Sequence, residues 1–303
     1  MKRSIRIGSR ESTLALIQSR IVENFICSSG HGCDAQIVAM KTTGDRILDR
    51  TLDQVGGKGL FVKELDKALM DGTTDISVHS LKDIPMEIPD ALPLIAYSAR
   101  EDPRDVIVYP AESGKLDPSK PIGCSSRRRV MQLGRIFPYM TFESVRGNVQ
   151  TRLRKLDEGQ YGAVILAAAG LIRLGLEYRI GRYFTVEECI PAAGQGIIAV
   201  QGRRGEDYSF LDGFDSRDSR IEAAAERSFV KYLNGGCTSP VAAHGEIKGG
   251  VLVLHGFYIE EDADHGIPGQ DHISLTGDTE ADTEAAEKLG IRLAEYLQDG
   301  GRS

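Results

Sequence analysis

The chain has 303 residues, a net charge of -7, 41% hydrophobic residues and 27% charged residues, as expected for a globular protein of two or three domains. This acidic balance argues against general nucleic-acid binding, which needs a basic face. No apolar run reaches the roughly 18 residues of a membrane span, and no secretion signal is recognisable, so we expect a cytoplasmic protein that binds no membrane.

Strand and helix patterns alternate through the first two hundred residues. Strands are predicted at 5–8, 36–40, 75–79 and 92–97, and helices at 12–25 and 61–70. The alternation begins again after a stretch rich in Arg, Asp and Pro at 100–104. It continues with strands at 105–109, 141–145 and 163–167 and helices from 126 and 148. Such alternation is typical of α/β domains with largely parallel sheets, and here it suggests two lobes with a cleft between them.

The pattern changes towards the C-terminal end. A strand at 197–201 is predicted to return to the first lobe, and a helix follows at 218–233. A hairpin around residues 248–250, a third strand at 272–275 and a helix at 279–297 predict a small α+β domain, with a polar loop at 260–270. We therefore predict three domains, bounded by residues 1–98 with 197–214, by 102–192 and by 218–303.

Arginine is concentrated where an anion would bind. The stretches GCSSRRR (123–129) and VRGNVQTR (145–152) each follow a predicted strand and open a predicted helix. A helix N-terminus offers unpaired N–H groups, and arginine adds a fork that matches a carboxylate. Arg10, Lys82 and Arg173 also follow strands, where α/β proteins bind ligands. These residues predict a polyanionic ligand, although any one arginine is equally well explained as a solvated helix-face residue.

Asp83 is the carboxylate among these cations, in the loop after the strand at 75–79. Beside Lys82 it should stay ionised, stabilise a developing cation and relay a proton. The alternative is a structural aspartate that caps the loop before Pro85.

Two glycine-rich segments are open to more than one interpretation. Residues 56–61 (GGKGLF) lack the spacing of a phosphate-binding Walker A loop, and they fit either a flexible lid that carries Lys58 or a plain turn. Residues 191–196 (PAAGQG) resemble a hinge or crossing segment, and they do not match the dinucleotide fingerprint.

The five cysteines contain no CxxC pair, so we expect reduced thiols and neither a disulfide framework nor a zinc site. Cys237 lies in the loop NGGCTSP (234–240). Facing a cationic cleft it would be a usable nucleophile, while a structural cysteine is the alternative. A cysteine hydrolase is disfavoured because no histidine shows a motif relation to Cys237.

Taken together, these motifs make the chain resemble the porphobilinogen deaminase (hydroxymethylbilane synthase) family. The matching segments run in family order over nearly the whole chain: IGSR (7–10), VGGKGLFVKEL (55–65), VHSLKD (78–83), SS (125–126) with RR (128–129), RGN (146–148) with RL (152–153), AAGL (168–171) with RLG (173–175), PAAGQG (191–196) and GGC (235–237). The set is highly specific, although no single segment is.

The resemblance implies two α/β domains, similar to periplasmic binding proteins, that flank a cleft, and a small C-terminal α+β domain. It implies a transferase that joins four porphobilinogen molecules on a dipyrromethane cofactor, loses ammonia at each step and releases hydroxymethylbilane. The cofactor would be attached to Cys237 through a thioether. A monomer without a metal is expected.

The resemblance also assigns roles to individual residues. The catalytic residues would be Asp83 and Lys82. The cofactor would be bound by Cys237, Arg128, Arg129, Arg146, Lys82, Ser126 and Asp83. The substrate would be bound by Arg10, Arg152, Arg173, Ser80, Gln195 and Lys58.

Two positions depart from the family pattern. Cys124 stands where threonine is common, and Arg127 stands where an apolar residue is usual, so the family spacing alone selects Arg128 and Arg129 as the inward pair. The alternative function is a non-catalytic, two-lobed anion-binding protein, since a fold does not fix a function.

Overall fold

The computed structural model describes residues 3–42, 62–235, 240–259 and 266–301. The chain divides into two compact units. The first comprises Met1–Arg100 with Ile197–Arg220, and the second comprises Glu101–Gly196 with Ile221–Ser303. Within the described residues, the first unit contains a five-stranded sheet, and the second contains a five-stranded and a three-stranded sheet.

Strands and helices follow the predicted order, with a further helix at 168–173 and a further strand at 180–183 that the sequence pattern did not indicate. The strands are β1 (Arg3–Arg10), β2 (Cys33–Met40), β3 (Ile76–Ser80), β4 (Leu94–Tyr97), β5 (Asp105–Val108), β6 (Ile122–Gly123), β7 (Phe142–Glu143), β8 (Ala163–Ala167), β9 (Ile180–Tyr183), β10 (Ile198–Gly202), β11 (Ala242–Lys248), β12 (Val251–Tyr258) and β13 (Ile267–Ser274). The helices are α1 (Thr13–Ser28), α2 (Lys63–Met70), α3 (Arg127–Leu133), α4 (Val149–Asp157), α5 (Ala168–Arg173), α6 (Arg217–Tyr232) and α7 (Thr279–Gln298).

The first sheet has the strand order β2-β1-β3-β10-β4. β1 runs parallel to both of its neighbours, whereas β10 is antiparallel to β3 and to β4. Ile5 and Ile7 alternate along β1 towards the same core as Val22 and Ile26, which lie four residues apart on α1. This packing fixes α1 against the sheet and brings its N-terminus beside the end of β1.

The second sheet repeats this plan with the order β7-β6-β8-β5-β9. β6 is parallel to β7 and β8, and β5 is antiparallel to β8 and β9. Each five-stranded sheet therefore contains one reversed strand, β10 or β5, next to its edge. The strands β5 and β8 are almost fully buried, and apart from Asp105 their sequences are continuously apolar.

The C-terminal part is an antiparallel β11-β12-β13 meander with α7 packed against β12 and β13. Lys248 pairs with Val251 across a two-residue turn in which Gly249 and Gly250 have φ of 57° and 78°. Glycine takes this conformation without steric cost, so the hairpin predicted around residues 248–250 is confirmed.

The predicted α/β class, with two sheet-bearing domains and a small C-terminal α+β domain, is confirmed. Two details were wrong. The sheets are less uniformly parallel than the alternation predicted, because β5 and β10 run against their neighbours. Residues 267–270, predicted as loop, belong to β13, where pairing with β12 overrides their Gly and Pro content. The rest of that predicted loop, 260–265, lies outside the described residues.

Candidate active site

A small pocket of the first unit lies where β1 and β3 end. Because these strands are parallel neighbours, their C-terminal ends meet at one edge of the sheet. A short 3₁₀ turn, Leu81–Asp83, follows β3 directly. The pocket has a volume of about 50 Å³ and is lined by Arg10, Ser12, Leu14, Ala15, Gln18, Val62, Val78, His79, Ser80 and Asp83. The fold thus brings together three predicted site residues, Arg10, Ser80 and Asp83.

Positive charge in this pocket comes from two sources. Arg10 is the last residue of β1, and the N-terminus of the 16-residue helix α1 follows it. Ser12 caps this helix, and its hydroxyl accepts a hydrogen bond from the Ala15 N–H at 3.3 Å. The helix dipole and the guanidinium both favour an anion here.

A buried side chain of α1 orients the Ser80 hydroxyl that lines the pocket. The Gln18 side chain on α1 is buried and donates from Nε2 to the Ser80 hydroxyl at 2.8 Å, while Ser80 Oγ lies 3.1 Å from Gln18 Oε1. Asp83 is half-buried, and no described residue donates a hydrogen bond to its carboxylate. Its lone pairs therefore remain available to a ligand. Lys82 lies half-buried on the same turn.

His79 was not assigned a role from the sequence, although it lies in the same pocket. Its Nε2 is 3.1 Å from Gln201 Oε1, and the Gln201 amide nitrogen donates to the Leu92 carbonyl at 2.9 Å. The Gln201 oxygen must therefore accept a hydrogen bond from His79 Nε2–H, which fixes the tautomer of the ring. Burial lowers the pKa of His79 to about 4, Gln201 opposes this shift, and the Arg10 charge adds to it. His79 is therefore neutral at pH 7. The feature of the sequence that could have identified His79 as a pocket residue is its position near the end of an apolar strand.

In the second unit, the two arginine-rich stretches lie side by side. The loops that follow β6 and β7 are neighbours because these strands are parallel. The Ser125 hydroxyl donates to the Val145 carbonyl at 2.7 Å and accepts from the Val145 N–H at 3.0 Å. Ser126, half-buried, occupies the N-cap position of α3. The stretches at 123–129 and 145–152 therefore form one continuous region.

The arginines at the start of α3 face different ways. Arg127 is exposed, whereas Arg128 and Arg129 are only 4% and 8% exposed. The inward pair is thus the one that the family spacing selected. Cys124, the other departure from the family pattern, is buried in the hydrophobic core beneath β6.

Arg128 and Arg129 converge on Asp105, a carboxylate that the sequence pattern marks only as the start of a strand. Asp105 Oδ2 accepts from Arg128 Nη1 at 2.7 Å, and Oδ1 accepts from Arg129 Nη2 at 2.7 Å. The buried Gln195 side chain also donates to Oδ1 at 2.9 Å, and the Cys189 thiol lies 3.3 Å from Oδ2. We call Asp105, Arg128, Arg129, Cys189 and Gln195 the Asp105 cluster.

The electrostatics of the Asp105 cluster follow from its burial. Burial alone would raise the pKa of Asp105, but the charges of Arg128 and Arg129 hold it well below its usual range. Asp105 in turn keeps the pKa of Arg129 above its usual value despite burial. Burial and the Asp105 charge both raise the pKa of the Cys189 thiol, so this cysteine is inert. A polar residue at the start of the apolar strand 105–108 was the only sequence signal for Asp105.

The remaining predicted arginines lie around α4 and α5. Asn148 caps α4 by accepting from the Thr151 N–H at 2.9 Å, and Arg152 Nε donates to the Gly147 carbonyl at 2.8 Å. Gly147 has a φ of +108°, and a side chain there would collide with Thr151 at 2.5 Å. Arg146 is half-buried just before this turn. The glycine thus allows the chain to fold Arg146 and Arg152 around the N-terminus of α4.

Arg173 ends α5 and donates from Nη2 to the Gly196 carbonyl at 2.5 Å. Burial lowers the pKa of its guanidinium. Together with Gln195 in the Asp105 cluster, this contact anchors the segment 191–196 within the second unit.

Two predicted residues, Lys58 and Cys237, lie outside the described residues, as do residues 56–61. Within the described ranges, no group of three or more His, Cys, Asp or Glu side chains is placed to hold a metal ion. The helices described here also include none with the length and apolar character needed to cross a membrane.

Two solved structures show a weak structural similarity to this chain at low sequence identity. The BenM effector binding domain with its effector benzoate covers 77% of this chain and 95% of its own, at 16% identity and a TM-score of 0.39. CbnR, a LysR family transcriptional regulator, covers 70% of this chain and 67% of its own, at 13% identity and a TM-score of 0.43.

Sequence comparison is more specific. The family description "Porphobilinogen deaminase, dipyromethane cofactor binding domain" matches residues 5–210, and "Porphobilinogen deaminase, C-terminal domain" matches residues 220–299. The porphobilinogen deaminase of Acetivibrio thermocellus is 57% identical over 257 residues, which cover 85% of this chain and 88% of the relative. That of Chromobacterium violaceum is 42% identical over 301 residues, which cover 98% and 95%. The chain therefore belongs to the porphobilinogen deaminase family.

Proposed function

We propose that this chain joins four porphobilinogen molecules head to tail, releases one ammonia at each addition and finally releases hydroxymethylbilane by hydrolysis. The family match includes the dipyrromethane cofactor-binding domain, and the transferase activity belongs to tetrapyrrole biosynthesis. When bound, dipyrromethane supplies the chain end to which the first porphobilinogen is joined. We place its attachment at Cys237, through a thioether.

The observation that carries this proposal is the pocket at the end of β1 and β3. It combines Arg10 and the N-terminus of α1, which attract a carboxylate, with Asp83, whose lone pairs are not taken by any described residue. Each pyrrole ring carries an acetate and a propionate, so the substrate supplies the anions that this pocket favours. The donor set therefore fits the cofactor and the growing chain.

Asp83 performs the acid–base work in this proposal. Loss of ammonia leaves a cationic carbon, and a fixed carboxylate stabilises positive charge and can hold the proton that is released. Lys82 lies next to it on the same turn, where its positive charge attracts carboxylates. The Ser80 hydroxyl, oriented by Gln18, adds a directed hydrogen bond.

The second unit supplies further carboxylate-binding residues. We assign cofactor binding to Arg128, Arg146 and Ser126, and Arg129 supports Arg128 through the carboxylate of Asp105 that the two arginines share. We assign substrate binding to Arg152, Arg173 and Gln195 of this unit, and to Arg10, Ser80 and Lys58 of the first unit. Support for Ser126, Arg146 and Arg152 is the continuous region around the N-termini of α3 and α4, where helix dipoles and guanidinium groups both favour anions.

We also propose that the protein acts as a cytoplasmic monomer that binds neither nucleic acid nor membranes. The net charge of -7 supports the absence of binding to nucleic acid and to anionic membranes, because both repel an acidic protein. Sedimentation at several protein concentrations tests the monomer, since a mass that rises with concentration contradicts it.

The decisive experiment is the intact mass of the purified, denatured protein. We expect an excess over the chain mass that matches two linked pyrrole units and is absent from Cys237→Ser. Protein of unmodified mass is then incubated with porphobilinogen and weighed again. If the incubated protein gains no mass and forms no hydroxymethylbilane, the proposed function is contradicted. A normal mass gain in Cys237→Ser would contradict the attachment site.

A further inference from the structure

The Asp105 carboxylate is saturated by the residues around it. Oδ1 accepts from Arg129 Nε at 3.0 Å, from Arg129 Nη2 at 2.7 Å and from Gln195 at 2.9 Å. Oδ2 accepts from Arg128 at 2.7 Å and contacts the Cys189 thiol at 3.3 Å. The side chain is fully buried. Asp105 therefore has no lone pair left for a ligand and acts only on its protein neighbours.

The two arginines differ in how many of their nitrogens the protein occupies. Arg129 uses Nε and Nη2 for Asp105, and its Nη1 donates to the Ile165 carbonyl at 3.3 Å. Arg128 uses Nη1 alone, for Asp105 and for the Ile190 carbonyl, each at 2.7 Å. Its Nε and Nη2 donate to no described residue. These two nitrogens form the planar edge with which arginine grips a carboxylate.

The charge balance of the Asp105 cluster also favours a ligand carboxylate at this edge of Arg128. Two guanidinium groups share one carboxylate in a buried place, so the cluster keeps one uncompensated positive charge. A second carboxylate at the open edge of Arg128 would balance this charge and satisfy its remaining donors. Held by Asp105 on one side, the Arg128 guanidinium cannot turn that edge away.

We propose that Asp105 is a positioning residue that fixes the open Nε–Nη2 edge of Arg128 for a ligand carboxylate, with Arg129 as the counter-ion that holds Asp105 in place. The ligand is a pyrrole that carries carboxylates, so the inference rests on the proposed function. It separates the roles of two adjacent arginines, since Arg128 contacts the ligand and Arg129 acts through Asp105. Gln195 steadies the same carboxylate.

The test compares Asp105→Asn with Asp157→Asn. Asp157 is the matched control, because it also pairs with an arginine of the second unit, Arg179, but near the surface. We expect Asp105→Asn to fold, to load cofactor about ten-fold less at limiting porphobilinogen, and to show an about ten-fold higher KM with kcat nearly unchanged in the loaded fraction. Asp157→Asn should match the wild type in each measurement. Wild-type loading and KM in Asp105→Asn would overturn the proposal.

Two further variants decide the case in which Asp105→Asn does not fold. Arg128→Lys keeps the charge but removes the planar edge, so it should show the same loss of loading and the same rise in KM. Asp105→Glu keeps the carboxylate, so its cofactor loading and its KM should lie between those of the wild type and those of Arg128→Lys. An Arg128→Lys protein that loads and turns over like the wild type would overturn the proposal.

Calorimetric titration with porphobilinogen separates this inference from the proposed function. Wild-type protein that binds porphobilinogen but neither gains mass nor turns over contradicts the proposed function, and the affinities of wild type and Arg128→Lys still decide the role of the edge. Normal wild-type turnover with equal affinities in both proteins contradicts the inference alone. Wild-type protein that does not bind porphobilinogen contradicts both.

Discussion

The pocket of the first unit and the Asp105 cluster of the second unit each set a carboxylate among cations, but they treat it in opposite ways. Asp83 is half-buried on a short turn, and no described residue donates to it. Asp105 is fully buried and accepts hydrogen bonds from two arginines and a glutamine. The first carboxylate is open to a ligand, and the second is closed to everything except its own protein.

This difference shows what each role requires. A carboxylate that exchanges protons with a substrate needs lone pairs within its reach. A carboxylate that positions arginines is most effective when every lone pair is used and its pKa is held well below the usual range, as that of Asp105 is. Sequence alone does not distinguish the two, because Asp83 directly follows Lys82 and Asp105 directly follows Arg104.

The largest effect is expected at the open carboxylate. Asp83→Asn should lower kcat by about 10²- to 10⁴-fold while porphobilinogen still binds, because an amide can neither hold the proton nor balance the charge. Steady-state kinetics and calorimetric binding measure the two effects. Asp90→Asn, an exposed change in the same unit, should leave kcat unaltered. Near-normal turnover in Asp83→Asn would remove it from the mechanism.

At the closed carboxylate, the largest effect should be on stability. Asp105→Ala leaves two buried guanidinium groups without their counter-ion, so we expect the free energy of unfolding to fall by about 3–5 kcal/mol. Asp157→Ala, which breaks a partly exposed pair with Arg179, should cost about 0–1 kcal/mol. Urea unfolding of both variants makes the comparison, and equal losses would show that burial does not separate the two sites.

His79 sharpens the comparison through pH. Its folded-state pKa of about 4 lies below the ordinary value of 6.5, so between these values the unfolded chain binds the extra proton. Stability should therefore fall as pH drops from 6.5, by on the order of 3 kcal/mol when pH 4 is reached. His79→Gln should flatten this part of the unfolding profile, whereas substitution of the exposed His31 by Gln should not. If the free energy of unfolding depends on pH in the same way in wild type and His79→Gln, the lowered pKa of His79 is not the cause of this pH dependence.

The smallest expected effects concern helix caps. Ser12 and Asn148 each accept from the N–H three residues on, and each should cost about 1 kcal/mol of stability when replaced by alanine. Asp278, which caps α7 in the same way, provides a control away from the predicted site residues. Only Ser12 lines the pocket, so Ser12→Ala should also raise the KM for porphobilinogen, and Asp278→Ala should not. A similar KM in the two variants would argue against anion binding at α1.

Much of the fold was predictable because it depends on local pattern. Strand-helix alternation predicted the α/β class, and the glycines after Lys248 predicted the hairpin. The direction of β5 and β10 was not predictable in the same way, since it depends on which distant strands they join. Strand β13 was partly missed because its Pro268 and Gly269 have low strand propensity that pairing with β12 overcomes.

The candidate site was predictable to the extent that its residues follow strands. Arg10, Ser80 and Asp83 meet in one pocket because β1 and β3 are parallel neighbours. The strand-helix alternation indicated largely parallel pairing but not which strands are neighbours. The Asp105 cluster was missed because its partners lie 23, 24 and 90 residues away from Asp105 in the chain. No local pattern indicates that a single aspartate at the start of an apolar strand will meet two arginines.

The position of β10 has a consequence for protein synthesis. In the first sheet β10 lies between β3 and β4, yet it is made only after the whole second sheet, which ends with β9 at Tyr183. A growing chain therefore holds all five strands of the second sheet before the first sheet can close. A nascent chain that stalls before residues 198–202 would expose one edge of β3 and one of β4, which are the kind of unpaired strand edges that chaperones and aggregates recognise.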